Sequence, residues 1–215
     1  MGYHRAGFDV VGVDLHPQKN YPFQFVQQDA LAFLQWITEC PEEWPFSHFD
    51  AIHASPPCQD HMRGGQHPTH GTGWLLPATR DLLEASGLPW VIENVPGAPM
   101  RADFKLCGCQ FDLRLRRERW FETSWHGFQM SHGHDHSGPP VVSVVGSGTP
   151  TWVRDRWMAH FGRTPKIADY REAMGIDWMT RDELSQAIPP AYCQFIGEQL
   201  MAHLVLKTTR AARLP

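Results

Sequence analysis

Apolar residues along the chain follow two patterns, short runs that are mostly apolar and longer stretches with helical spacing. The short runs, typical of buried parallel strands, cover 8–14, 49–55 and 89–96. Helical spacing covers 30–37 and 75–85. Asp29 is placed to cap the first of these helices, and Gly87 to end the second. The alternation predicts an α/β fold with a doubly wound, mostly parallel sheet.

Three side chains with useful chemistry follow the predicted strands. Asp14 ends the first strand, and Glu93 lies near the end of the third. Pro56 and Pro57 stop the second strand because neither can donate to a ladder, and Cys58 follows them directly. In doubly wound sheets ligands bind beyond the carboxyl ends of the strands. The sequence therefore predicts that Asp14, Cys58 and Glu93 share one rim.

The second half of the chain has a weaker pattern. Residues 124–165 are rich in His, Gly, Ser and Pro, apart from the apolar run 141–145, and helical spacing returns near 167–175. We therefore predict four segments: a core over 1–123, an inserted module over 124–165, a return to the core over 166–206 and a basic tail over 207–215.

Composition points to a soluble globular protein. A chain of 215 residues with 42% hydrophobic and 20% charged residues is sufficient for one domain with a core. The five cysteines are an odd set without repeated paired spacing, which favours a reducing cytoplasm over a disulfide framework. Neither an apolar run of membrane-spanning length nor a signal pattern is present, so no membrane partner is predicted.

Charge gives only a local indication of a nucleic-acid partner. The net charge of -4 excludes an overall basic field. The densest basic segment is 114–119, which could contact phosphates or could form a solvated edge leading into a strand.

Histidines at alternate positions in 132–136 suggest a metal site, together with Cys107 and Cys109. The alternating spacing lacks the paired pattern of zinc ligands, which favours an exposed polar loop. We therefore predict no metal ligand, and a His-rich metal-dependent binding module is kept only as an alternative function.

Two of the motifs suit the methylation of cytosine at carbon 5. That carbon is not nucleophilic, so a thiolate must first add at carbon 6 while an acid at ring nitrogen 3 takes up the developing charge. The reaction needs a cysteine and a carboxyl group facing each other across a base-sized slot. Pro56-Pro57-Cys58-Gln59 and Glu93-Asn94-Val95 supply this pair at the ends of two predicted strands.

The order of the motifs is similar to that of cytosine-5 DNA methyltransferases. Pro-Pro-Cys-Gln is followed by Glu-Asn-Val, and then by Arg117-Glu118-Arg119. Further on, 170–175 resembles the Arg-Glu element after that family's target-recognition region, and 187–191 resembles its closing element before the last helix. The resemblance covers 8–204. It implies a Rossmann-like methyltransferase fold in which 124–165 is a short target-recognition insertion.

The resemblance implies specific catalytic roles. Cys58 would be the nucleophile, and Glu93 the acid at ring nitrogen 3. Arg119 would donate to the cytosine carbonyl, with Arg117 assisting nearby. The base must be flipped out of double-stranded DNA, because its attacked face is stacked inside the duplex. The residues implied to contact DNA or the extruded base are Gln59, Asn94 and Arg171.

The resemblance also implies a site for S-adenosyl-methionine. Asp14 would hold the ribose hydroxyls, and Asp29 the adenine amino group. The neighbouring positions implied to border the cofactor are Leu15, Ala30 and Pro57. We expect a cytoplasmic protein of a bacterium or of a virus-infected bacterial cell.

The chain departs from the family pattern at its beginning. Family members start with a strand and a Phe-x-Gly-x-Gly loop around the cofactor, whereas residues 1–7 correspond to the chain just after them. The expectation is a sheet without its first strand, explained by a start codon placed too late, a second polypeptide or a decayed remnant; we favour the first. The alternative functions are an inactive nucleic-acid-binding remnant and an RNA cytosine methyltransferase.

Overall fold

A computed structural model describes residues 1–40, 49–57, 71–129, 133–145 and 149–211. Its helices and strands, in chain order, are α1 Gly2–Arg5, β1 Val11–Asp14, β2 Gln24–Gln27, α2 Ala30–Glu39, β3 Ile52–Ala54, α3 Leu75–Ala85, β4 Trp90–Asn94, β5 Phe104–Leu106, a 3-10 turn Gly108–Phe111, β6 Arg119–Thr123, α4 Thr151–Phe161, α5 Ile167–Met174, α6 Arg181–Gln186 and α7 Pro190–Ala211. The predicted α/β class is confirmed.

The strands form two sheets, which corrects the expectation of one mostly parallel sheet. β1 and β2 are parallel, and the other sheet has the order β3-β4-β6-β5. In that second sheet β3 is parallel to β4, whereas β6 is antiparallel to β4. The segment between β4 and β6 contains β5 and a 3-10 turn rather than an α-helix. A parallel pair is usually joined by a crossover helix, and this segment contains none, which agrees with the antiparallel pairing of β6.

Several predicted elements are confirmed with shifted ends. The side chain of Asp29 accepts a hydrogen bond from the backbone nitrogen of Ala32, and thus caps α2. β2 was not predicted, because it lies in a stretch rich in prolines and aromatic residues. The apolar run 141–145 forms only a bridge between Val142 and Leu115. The predicted tail is helical as far as Ala211, the end of α7.

The chain divides into two compact units that interleave in sequence. The first unit comprises 1–9, 106–118 and 130–201, and the second comprises 10–105, 119–129 and 202–215. The first has a core whose buried members are Leu115, Val142, Val144, Trp157, Tyr170, Ala173, Met174, Ile176 and Leu184. The predicted division into a core over 1–123 and 166–206, an insertion over 124–165 and a tail stays a prediction.

In the second unit, one face of the β3–β4 pair is covered by helices. Trp90 and Ile92 of β4 pack against Leu34 of α2 and Leu83 of α3. Because these apolar side chains are buried under the helices, polar side chains that bind a ligand belong at the carboxyl ends of β3 and β4. None of the helices in the described ranges is both long and apolar enough to cross a membrane.

Candidate functional site

The carboxyl end of β4 presents a buried acidic side chain to an arginine of β6. Glu93 is opposite Phe121 in the antiparallel register, so Arg119, two residues before Phe121, is on the same face of the sheet. The Arg119 Nε and Glu93 Oε1 atoms are 2.9 Å apart, and the two side chains are only 15% and 7% exposed. The structure therefore brings together two of the four predicted catalytic residues.

Asn94 connects this pair to the segment after β3. Its side-chain amide donates to the carbonyl of Pro56 at 3.0 Å, and its side-chain oxygen accepts from the backbone nitrogen of Val95 at 2.8 Å. The amide is buried, so both hydrogen bonds are shielded from water. Asn94 thus holds the backbone that leads into Cys58 beside the strand that carries Glu93. Pro57 itself is exposed.

Two predicted site residues, Cys58 and Gln59, lie outside the described residues. The expected pairing of Cys58 with Glu93 across one pyrimidine ring therefore stays a prediction.

Four of the five predicted cofactor residues lie at or just after the carboxyl ends of β1 and β2, whereas the fifth, Pro57, follows β3. Asp14 is opposite Gln27 in the parallel register, and Asp29 follows two residues later. One carboxylate oxygen of Asp14 accepts from the backbone nitrogen of His16 at 2.8 Å. Asp29 and Ala30 are exposed, and the side chain of Leu15 is 58% exposed. Two carboxylates and an apolar side chain are thus available to a ligand at one edge.

The two other predicted arginines have structural partners in the first unit. The Arg117 guanidinium is buried and donates to the backbone carbonyls of Val144 and Ser185. Arg171 donates from its Nε atom to the carbonyl of Met179 at 2.9 Å. Both side chains hold neighbouring backbone segments, a role that the sequence motifs did not reveal.

Two arginines of the basic segment 114–119 have partners within the chain, and of its two interpretations the edge that leads into a strand is the one the structure shows. Arg114 forms an ion pair with Glu172 at 2.5 Å, and Arg116 donates to the carbonyl of His136. The predicted transition into a strand is confirmed, because β6 begins at Arg119.

His53 is a site feature that sequence reasoning missed. It lies on β3, with its Nε2 atom 3.1 Å from the hydroxyl oxygen of Ser55. Burial lowers the pKa of His53 from 6.5 to about 4, so the imidazole is neutral near pH 7. A histidine between Ile52 and Ala54 in a predicted buried strand was the available signal.

A second polar cluster is in the first unit. The ligand atoms of Cys107, Cys109, His134 and His136 all lie within 4.8 Å of one another. Burial raises the pKa of the Cys107 thiol to about 11, and the nearby Cys109 and Glu118 contribute to the increase. Spacing along the chain led us to expect no metal ligand here, but the four groups converge in space.

In comparisons with known proteins, no family model matches the chain and no curated protein matches it.

Proposed function

We propose that the protein is a DNA cytosine-5 methyltransferase that uses S-adenosyl-methionine. The observation that carries the proposal is the buried Glu93–Arg119 pair, with Asn94 holding the backbone before Cys58 next to it. An acid and the approach to a thiol thus follow the carboxyl ends of β4 and β3, the usual position for a site in such sheets, and the first residue of the antiparallel β6 supplies a fixed donor beside them.

In the proposed reaction, the Cys58 thiolate adds to carbon 6 of a flipped-out cytosine while Glu93 shares a proton with ring nitrogen 3. Carbon 5 then takes the methyl group from the sulfonium donor. Loss of the carbon-5 proton restores the double bond and expels the thiolate. Arg119 donates to the cytosine carbonyl, and its contact with Glu93 fixes the carboxyl group in one orientation.

The β1–β2 edge fits the adenosine part of the donor. Carboxylates accept hydrogen bonds from ribose hydroxyls and from an amino group, and Asp14 and Asp29 follow neighbouring parallel strands. The exposed Leu15 side chain offers an apolar surface beside them. We assign Asp14 to the ribose and Asp29 to the adenine.

Arg117 and Arg171 are assigned as positioning residues, since their donors are engaged by backbone carbonyls. Arg117 fixes the backbone at Val144 and Ser185. Arg171 fixes the backbone at Met179, after α5.

The separation of the strands into two sheets is compatible with an additional strand, supplied from outside this sequence, that pairs with both. Within the described ranges, β1 pairs with β2, β3 pairs with β4, and no ladder joins the two sheets. We propose that a strand from a preceding segment or from a second polypeptide pairs with both and completes the donor site. A version extended by the in-frame upstream coding sequence should bind S-adenosyl-methionine much more tightly than this chain, and equal affinity rejects this part of the proposal.

Transfer of a labelled methyl group to double-stranded DNA tests the proposal. Both this chain and the extended version should be assayed with the variants Cys58→Ser and Glu93→Gln. Cys58→Ser should abolish transfer, and Glu93→Gln should lower the rate about 100- to 10,000-fold because it loses acid catalysis.

Glu122→Gln is the matched control, because it removes a buried carboxylate from the same sheet. Glu122 is paired with Arg80 at 2.8 Å rather than with Arg119. The Glu122→Gln variant should retain most methyl-transfer activity per folded molecule, even if its free energy of unfolding is lower. Transfer to RNA alone would show that the DNA assignment is wrong. A folded, donor-binding protein without transfer to DNA or RNA would reject the enzyme in favour of a nucleic-acid-binding protein.

A further inference from the structure

Two cysteines and two histidines in the first unit form a four-ligand group outside the proposed catalytic site. We propose that Cys107, Cys109, His134 and His136 bind one structural Zn²⁺ ion. Two thiolates and two imidazoles are a donor set typical of closed zinc sites.

The distances suit a tetrahedral ion. With zinc–sulfur and zinc–nitrogen bonds of about 2.3 and 2.05 Å, a tetrahedral sulfur–nitrogen edge is about 3.6 Å. The Cys107 Sγ and His136 Nε2 atoms are 3.5 Å apart, and all four ligand atoms lie within 4.8 Å of one another. Shifts of about 1 Å therefore suffice for all four to reach one ion.

The cysteine half of the site is preformed by a tight turn. The backbone nitrogen of Cys107 donates to the side chain of Gln110 at 2.8 Å, which fixes the start of the 3-10 turn that contains Cys109. A Cβ atom at Gly108 would lie 2.2 Å from the carbonyl oxygen of Leu115, so only glycine fits between the cysteines. The turn presents Cys107 and Cys109 together, although the spacing differs from the usual paired pattern.

The histidine half is an exposed stretch with few other anchors. Residues 133–139 are all exposed, so the stretch buries no apolar side chain that could hold it. Its backbone is restrained where Arg116 donates to the carbonyl of His136 and where Ser137 donates to Asp135. The rings of His134 and His136 are 5.8 Å apart, so alternate positions place both on the same side of the stretch.

Hydrogen bonds of the Cys107 thiol explain its contacts with His136 and Cys109, but they do not explain why His134 joins the same group. Zinc explains all four positions. Because all four ligands come from the protein, the ion has no open position and serves as a cross-link rather than as a reaction centre. It would tie the 133–137 stretch to the turn over 107–109.

Metal content of the intact chain, purified without chelators from zinc-supplemented medium, tests the site. We expect about one zinc ion per chain. Replacement with Co²⁺ should give the d–d bands of a tetrahedral ion and thiolate-to-cobalt charge transfer. The variants Cys107→Ser/Cys109→Ser and His134→Asn/His136→Asn should lose the metal, whereas the controls Cys40→Ser and His126→Asn should retain it.

The cluster variants could lose zinc because they fail to fold, and thiol counting on the unmutated protein distinguishes loss of ligands from loss of the fold. Removal of zinc with a chelator should expose two additional thiols to a reagent, mapped by mass spectrometry to Cys107 and Cys109. Substoichiometric zinc, a Co²⁺ spectrum without charge transfer, or unchanged metal in both double variants would overturn the proposal. These readouts need neither DNA nor S-adenosyl-methionine, so their outcome is independent of the proposed methyl transfer.

Discussion

Removal of the Arg119 guanidinium should destabilise the protein through the buried carboxyl group that it contacts. At about 4 Å between charges and an effective dielectric constant near 20, the attraction is about 4 kcal/mol. Desolvation of both groups offsets part of this value, but loss of one partner leaves the other charge poorly compensated. With the side chains only 15% and 7% exposed, Arg119→Met should lower the free energy of unfolding by about 2–4 kcal/mol.

A double-mutant cycle in urea isolates the pair. Arg119→Met, Glu93→Gln and the double variant should be compared by far-ultraviolet circular dichroism and by tryptophan fluorescence, and the two probes should coincide if unfolding is two-state. The effects should be non-additive by about 1–3 kcal/mol, because each change removes the same contact.

An exposed ion pair provides the control. Arg154 and Asp155 are 3.7 Å apart with side chains 53% and 67% exposed, so Arg154→Met should change stability by less than about 0.5 kcal/mol. Additive effects at Arg119 and Glu93, or an Arg119 variant as stable as the Arg154 variant, would show that the pair does not organise the end of β4.

Three further predictions concern other parts of the two units. Burial lowers the pKa of His53 to about 4, so protonation of this side chain favours the unfolded state. The free energy of unfolding should therefore fall by up to about 3 kcal/mol from pH 6.5 to pH 4, and His53→Gln should flatten this part of a plot of that free energy against pH. Gly108→Ala should cost about 2–3 kcal/mol in urea unfolding and release zinc, because the new Cβ lies 2.2 Å from a backbone carbonyl; unchanged stability would refute the close approach. The hydrogen bonds from Arg163 lower the pKa of Asp169 below the value of about 4 that the carboxyl group has in the unfolded chain. The pair therefore stabilises the fold above that pH, and the stabilisation is lost on acidification. Arg163→Gln should remove this loss at acidic pH.

Local signals in the sequence were sufficient to predict helices and strands that have a clear capping residue or a regular spacing of apolar residues. Asp29 predicted the start of α2, and Gly87 the end of α3, because a side-chain cap and a positive φ angle are decided by neighbouring residues. The antiparallel direction of β6 was not predicted, because pairing depends on the long segment after β4 rather than on the strand's own residues.

Residues of the candidate site could be predicted where a motif residue also lay at the end of a predicted strand. Glu93 and Arg119 were both identified from motifs, and their side chains are in contact. Arg117 was identified by the same motif, yet its guanidinium binds two carbonyls, since a motif does not specify which partner a side chain meets. A metal site that combines Cys107 and Cys109 with the histidines of 132–136 was considered from the sequence and rejected because of its spacing, yet Cys107 and His136 are in contact although 29 residues separate them along the chain.

Covalent trapping on DNA that contains 5-fluorocytosine tests the central claim most directly. Fluorine at carbon 5 cannot leave as a proton, so the cysteine stays attached after methyl transfer. With S-adenosyl-methionine present, the version of the protein that binds this donor should give an adduct that survives denaturation and maps to Cys58, and Cys58→Ser should give none. An adduct on another cysteine, or no adduct from folded, donor-binding protein, would contradict the account.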